Sequence, residues 1–130
     1  MLRACNRVLK PGGRLAFYVI HFQPGLSLPR KASLIEALPG VVDAPAPYLE
    51  LIERAGFNNV AERDVTPDYQ RTAATWLREA GELEPELRAA LGDQVYEDKQ
   101  ANRLRSMAAI DAGDLGRTLF TATAPSAERP

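Results

Sequence analysis

The sequence is poor in the residues that site chemistry most often needs. It has one cysteine, Cys5, and one histidine, His21, in 130 residues. One thiol excludes an internal disulfide, and with one imidazole it excludes a Cys/His metal cluster. No metal ligand is expected. Cys5 falls in step with Leu2 and Leu9 of a helical pattern and reads as a core residue. A lone thiol fits a reducing compartment, and the expected location is the cytoplasm. An excess of one charge is also missing: 16 Lys and Arg stand against 17 Asp and Glu, a net charge of −1. That argues against a nucleic-acid surface built on bulk basicity. No stretch approaches the roughly 18 consecutive apolar residues of a membrane span. Arg3, Asn6, Arg7 and Lys10 break the apolar run that a signal peptide requires.

What is present is a regular alternation of helix and strand signals in one domain-sized chain. Leu2, Cys5, Val8 and Leu9 recur at helical spacing, and Pro11 stops that helix at Lys10. Gly12 and Gly13 allow a tight reversal. Arg14 to Phe22 then reads as a strand, with Leu15, Phe17 and Val19 on one face and Ala16, Tyr18, Ile20 and Phe22 on the other. Apolar residues on both faces predict a strand covered on both sides. Residues 23 to 47 are broken by proline and glycine, with a short helix expected over Ser33 to Leu38. Tyr48, Leu51, Ile52 and Ala55 predict a further helix, closed by Gly56 as a left-handed cap. Asn59 to Val65 is the second strand.

A helical block follows. Thr66 is the expected N-cap and Pro67 the first helical residue. Tyr69, Ala73, Trp76, Leu77 and Ala80 form the stripe of this helix, and Gly81 is its expected end. Pro85 opens a second helix carrying Leu87, Ala90 and Leu91. Asp93 caps a third, in which Ala101, Leu104, Met107 and Ala108 share a face. Arg117 to Ala124 is the last strand, and 125–130 is expected to be a disordered tail.

The segment LKPGG carries a sharper question, because glycines beside basic residues sometimes cradle phosphate. A phosphate cradle needs the order strand, glycine loop, helix, so that the anion meets the amides at a helix N-terminus. Here the order is helix, glycines, strand. In open α/β sheets ligands bind outside the carboxyl ends of strands. The LKPGG turn lies at the opposite edge, and Lys10 and Arg14 read as solvated charges.

The same segment has a family likeness. Arg7-Val8-Leu9-Lys10-Pro11-Gly12-Gly13-Arg14-Leu15 resembles the approach to the fifth strand of class I S-adenosylmethionine-dependent methyltransferases. LIERAGFNNV (Leu51 to Val60) is similar to the stretch leading into that family's sixth strand. GRTLFTATA (Gly116 to Ala124) is similar to its closing seventh strand. The resemblance covers about residues 1 to 124. It implies an α/β fold, the C-terminal half of a Rossmann-like methyltransferase sheet. That sheet would have three strands, the last antiparallel between the others, with a helical insert over about 66–113. The family's cofactor is S-adenosylmethionine. The glycine-rich loop and ribose-binding acid that hold it belong to the family's earlier half, and nothing here reads G-x-G-x-G after a strand. No cofactor-binding residue is therefore assigned. The chain resembles a partial domain, a truncated product or a reading frame started late, and is expected to be inactive alone.

The resemblance also places a small-molecule substrate pocket at the carboxyl end of the fifth strand. His21 and Phe22 stand there, and His21 is the candidate base for a substrate proton. The plainer reading of His21 is a strand-end cap. Tyr69, Trp76 and Tyr96 are candidates to line an apolar pocket, with Arg103 pairing an anionic group. The plainer reading puts Trp76 in a core and leaves Tyr96 and Arg103 as surface positions. Glu79, Glu82, Glu84 and Glu86 cluster near a helix junction, and Glu84 and Glu86 are accounted for by the dipole of the helix that Pro85 opens. The alternative function is a non-enzymatic half-domain serving in binding or assembly. An unpaired outer edge on the 14–22 strand predicts self-association through it.

Overall fold

A computed structural model describes residues 1–126 of the chain. The elements run α1 (Leu2–Val8), β1 (Arg14–Phe22), α2 (Leu28–Ala37), α3 (Tyr48–Arg54), β2 (Asn58–Asp64), α4 (Thr66–Glu82), α5 (Glu84–Leu91), α6 (Asp93–Asp111) and β3 (Leu115–Thr123). The expected tail at 125–130 falls mostly outside the described residues.

The sheet has the order β1-β3-β2, and β3 is antiparallel to both neighbours. Arg14 pairs with Thr123 and Phe22 with Leu115, an unbroken ladder along all of β1. The β2–β3 ladder slips between Asn58 and Ala61. There Asn59 takes a φ of 52°, a left-handed conformation that asparagine tolerates better than most residues.

One face of the sheet packs on α1 and α3. Ile52, Ala55, Phe57, Phe120, Ala122 and Ala124 are its buried core, joined by Leu15, Phe17, Val19 and Tyr48. Phe17 stacks on Phe120 at 5.6 Å between centroids. Gly56 closes α3 with a φ of +95°, and a Cβ there would stand 2.8 Å from Asn6 Nδ2. That amide nitrogen donates to the Ala55 carbonyl at 2.8 Å and so ties α1 to the end of α3.

The other face packs on the helical insert. Leu34, Leu38, Ala109, Ile110 and Leu115 form a second buried cluster there, near the carboxyl end of β1. Thr66 joins the insert to the sheet. Its hydroxyl donates to Asp64 Oδ1 and accepts the Arg117 amide at 3.1 Å.

Several expectations are corrected. β1 is not covered on both sides: Tyr18 is 60% and Ile20 39% exposed. Helix α2 begins at Leu28, well before Ser33, because Ser27 caps it by accepting the Arg30 amide and Pro29 sits in its first turn. Thr66 is the first residue of α4 and not its N-cap, since its hydroxyl is spent on the sheet. Gly81 lies inside α4, which runs to Glu82. Asp93 is likewise the first residue of α6, with Gly92 in the cap position. Strand β3 starts at Leu115, taking in Gly116. Helix α6 buries Tyr96, Ala109 and Ile110, while Leu104 is exposed. Trp76 is 62% exposed and not a core residue. Asn102, Arg103 and Ser106 border the same cavity as Trp76, so polar groups of α6 stand where a core would need apolar ones.

Candidate functional site

The glycine amides of the LKPGG turn are already engaged. The Gly12 N–H is bonded at 3.2 Å to the Ala124 and Pro125 carbonyls, and the Gly13 N–H at 2.8 Å to the Lys10 carbonyl. Gly12 has a φ of +75°, the conformation for which the turn requires glycine.

Two cavities hold most of the candidate residues, one on each face. The first, about 530 Å³, opens at the carboxyl end of β1. His21, Phe22, Thr118 and Phe120 form its floor, and the loop around Ala44 to Pro47 forms a wall. Lys31 Nζ on α2 holds that loop through Asp43 Oδ1 at 2.9 Å. The chain bends at Pro45 and Ala46, and the prolines at 45 and 47 fix φ in the wall.

His21 is engaged at both ring nitrogens. Nδ1 lies 3.1 Å from the Phe22 carbonyl oxygen, and Nε2 lies 2.7 Å from Thr118 Oγ1. A carbonyl only accepts, so Nδ1 carries a proton, and in the neutral ring Nε2 accepts from the Thr118 hydroxyl. A substrate proton therefore reaches this imidazole only by displacing Thr118 or passing through its hydroxyl. Asp64, nearby, is held below the ordinary carboxylate range, first by the Thr66 hydroxyl, then by the Thr66 amide, with a smaller contribution from His21.

The second cavity, about 270 Å³, lies between α4, α6 and the other sheet face. Tyr69, Trp76 and Arg103 line it, together with Ile20, Ala73 and Arg117. Burial raises the Tyr69 phenol, and the neighbouring Arg117 pulls it partly back. The candidates thus separate: His21 and Phe22 meet on one side, Tyr69, Trp76 and Arg103 on the other. Tyr96 joins neither. It is buried, its hydroxyl donates to the Ala80 carbonyl at 3.1 Å, and Arg88 stacks on its ring at 4.5 Å. Arg88 also gathers Glu84, Asp93 and Glu97, so Glu84 serves an ion-pair cluster.

Sequence reasoning passed over Thr118 and Arg117. The signal was there for Arg117: a cation in a strand that is otherwise apolar and small.

The chain matches no family model and no curated protein. Solved structures share its fold. A phosphoethanolamine N-methyltransferase 2 from Haemonchus contortus, bound to phosphomonomethylethanolamine and S-adenosylhomocysteine, superposes with a TM-score of 0.78 at 16% identity. The match covers 96% of this chain and 29% of that one. The cyclopropane synthase MmaA2 from Mycobacterium tuberculosis gives 0.67 at 18% identity, over 94% of this chain and 48% of that one. The [4+2]-cyclase SpnF gives 0.69 at 20% identity, over 96% and 44%. The fold is that of part of the Rossmann-like domain of these structures. The chain spans half or less of the length of these structures.

S-adenosylhomocysteine is bound in the Haemonchus contortus structure. The residues present here do not fit that ligand. The loop from β1 to α2, Gln23 to Ser27, is the one at the carboxyl end of β1. It has a single glycine, and Ser27 already caps the helix that follows. Among the described residues no helix is long and apolar enough to cross a membrane.

Proposed function

We propose that this chain is the acceptor side of an S-adenosylmethionine-dependent methyltransferase domain acting on a small molecule. The observation that carries the reading is the β1-β3-β2 antiparallel arrangement with a cavity at the carboxyl end of β1. That is where open α/β sheets bind ligands. In this reading the chain positions the methyl acceptor, and residues outside it hold the cofactor. The chain alone is then inactive. His21 and Phe22 border the acceptor, with Thr118 between the imidazole and any substrate proton. The lone thiol of Cys5 supports a cytoplasmic location.

The test is the intact mass of the product in its native host, with the upstream DNA read in frame. The expected product carries a strand, glycine loop and helix ahead of Met1 and binds S-adenosylhomocysteine by calorimetry, whereas the 130-residue chain gives no heat. A product that begins at Met1 and binds no cofactor with any partner overturns the reading.

One observation favours the alternative of a non-enzymatic assembly module. β1 is nine residues long and among the described residues pairs only with β3, leaving its outer edge open there. Such an edge recruits a further strand. In this reading the isolated chain self-associates through Arg14–Phe22, and a clean monomer by sedimentation at high concentration removes that support.

A further inference from the structure

The cavity between α4, α6 and the sheet has an uneven wall. Ile20, Ala73 and Trp76 make one part of it apolar. Among the described residues its only charged ones are Arg103 and Arg117, and no carboxylate lines it. Arg117 has no ion-pair partner among the described residues, and its Nε is buried without an acceptor. The guanidinium lies over two tyrosine rings, 4.9 Å from the Tyr18 centroid and 5.0 Å from that of Tyr69. Ring contacts use the faces of a guanidinium and leave its N–H edge for an acceptor in the plane. A buried donor without a partner is costly, and few survive in folded proteins without a role. Arg103 adds a second cation, with Nη1 donating to Gln100 Oε1 at 2.8 Å.

We infer that this cavity binds the anionic head of a small ligand, a carboxylate or phosphate, through Arg117 and Arg103, with the ligand's apolar body against Trp76 and Ile20. The inference goes beyond the reading of this chain as the acceptor side: it adds an anion site on the sheet face opposite the cavity of His21 and Phe22. The two oxygens of a carboxylate, or two of a phosphate, match the forked donors of arginine. The tyrosines pre-order Arg117, so little side-chain freedom is lost on binding.

Trp76 is the sole tryptophan and reports on this cavity directly. The experiment is a fluorescence titration of the chain with 3-phenylpropionate, phenethyl phosphate and 3-phenylpropylamine, without cofactor. A saturable blue shift is expected with one or both anions and none with the amine. A stronger response to the first anion assigns a carboxylate, and to the second a phosphate. Arg117→Gln is expected to weaken binding about tenfold or more and Arg103→Gln by less, as loss of a charge-assisted bond predicts. If Arg117→Gln does not fold, Arg103→Gln and the decline of affinity with salt carry the test. An equal response to the amine, no response to either anion at millimolar concentration, or unchanged binding in the folded variants overturns the inference. Because this titration needs no cofactor, its failure is separate from failure of the cofactor test above.

Discussion

The two faces of the sheet have opposite characters. Under α1 and α3 the face is dry: Ile52 is fully buried, Phe57 and Phe120 are 3% and 4% exposed, and aromatic rings meet across it. Under the helical insert the face is open. Tyr18 and Trp76 are about as exposed as surface residues, and Arg103 and Arg117 stand in a cavity with no acid. Both faces belong to the same three strands, so strand propensity does not explain the difference. What differs is the element laid across each. Helix α3 brings an apolar stripe, whereas α6 brings Asn102, Arg103 and Ser106 to its side of the cavity. Away from the carboxyl-end cavity of His21 and Thr118, stability is therefore concentrated on the first face, while the second face holds the cavity of Arg103 and Arg117.

The largest effect expected from this contrast is at Ile52. Ile52→Ala removes a fully enclosed side chain and should cost about 3 kcal/mol in urea unfolding. A loss under about 1 kcal/mol would mean that the α3 face is loosely packed and would erase the contrast. Gly56→Ala comes next, at about 2 kcal/mol. It forces a side chain into a positive-φ position and against the Asn6 amide that bridges α1 and α3. Relief by Asn6→Ala in the same chain would locate the cost in the clash and not in the backbone.

How much of this was legible in the sequence follows the same division. Strand β1 was read to the residue, because Pro11 and the glycine pair bound it on one side and Pro24 on the other. The stripe Tyr48, Leu51, Ile52, Ala55 with Gly56 predicted α3 and its cap, since both signals are local. On the insert side, local signals misled. Trp76 shares a stripe with Ala73 and Ala80, yet its burial depended on which face of α6 would come opposite. Tyr96 looked like a surface residue until α4 supplied the Ala80 carbonyl for its hydroxyl. Ser27-Leu28-Pro29 was a readable helix start, hidden by counting Pro29 as a loop residue. The pairing of His21 with Thr118 joins residues 97 apart in the chain and had no local trace.

Thr66 sits at the joint between the two regions, and its substitution should have an intermediate effect. Thr66→Val removes both its bond to Asp64 and its acceptance of the Arg117 amide, for a loss of about 1 kcal/mol. It should also raise the Asp64 carboxyl, which the Thr66 hydroxyl does most to hold low. A carboxylate held low in the folded state stabilises it above the unfolded value of about 3.9, and that contribution disappears as pH falls through the folded value. The acid limb of the wild-type stability curve should therefore flatten in the variant. An unchanged limb, followed by carboxyl NMR at Asp64, would show that the joint does not depend on this bond.

The smallest effect is the one that tests the open face most directly. Trp76 is the largest side chain in the protein, and in a core its truncation would be among the most damaging changes. Here 62% of its surface is already in water, so Trp76→Ala should shift the urea midpoint by the equivalent of about 0.5 kcal/mol or less. The same variant should lose affinity for the aryl anions, because the indole forms part of the apolar wall against which their rings would lie. Stability nearly unchanged with binding reduced is the pattern of a ligand-facing residue. A stability loss as large as that of Gly56→Ala would mean that the insert closes over the indole in solution, and the contrast between a dry face and an open one would not survive it.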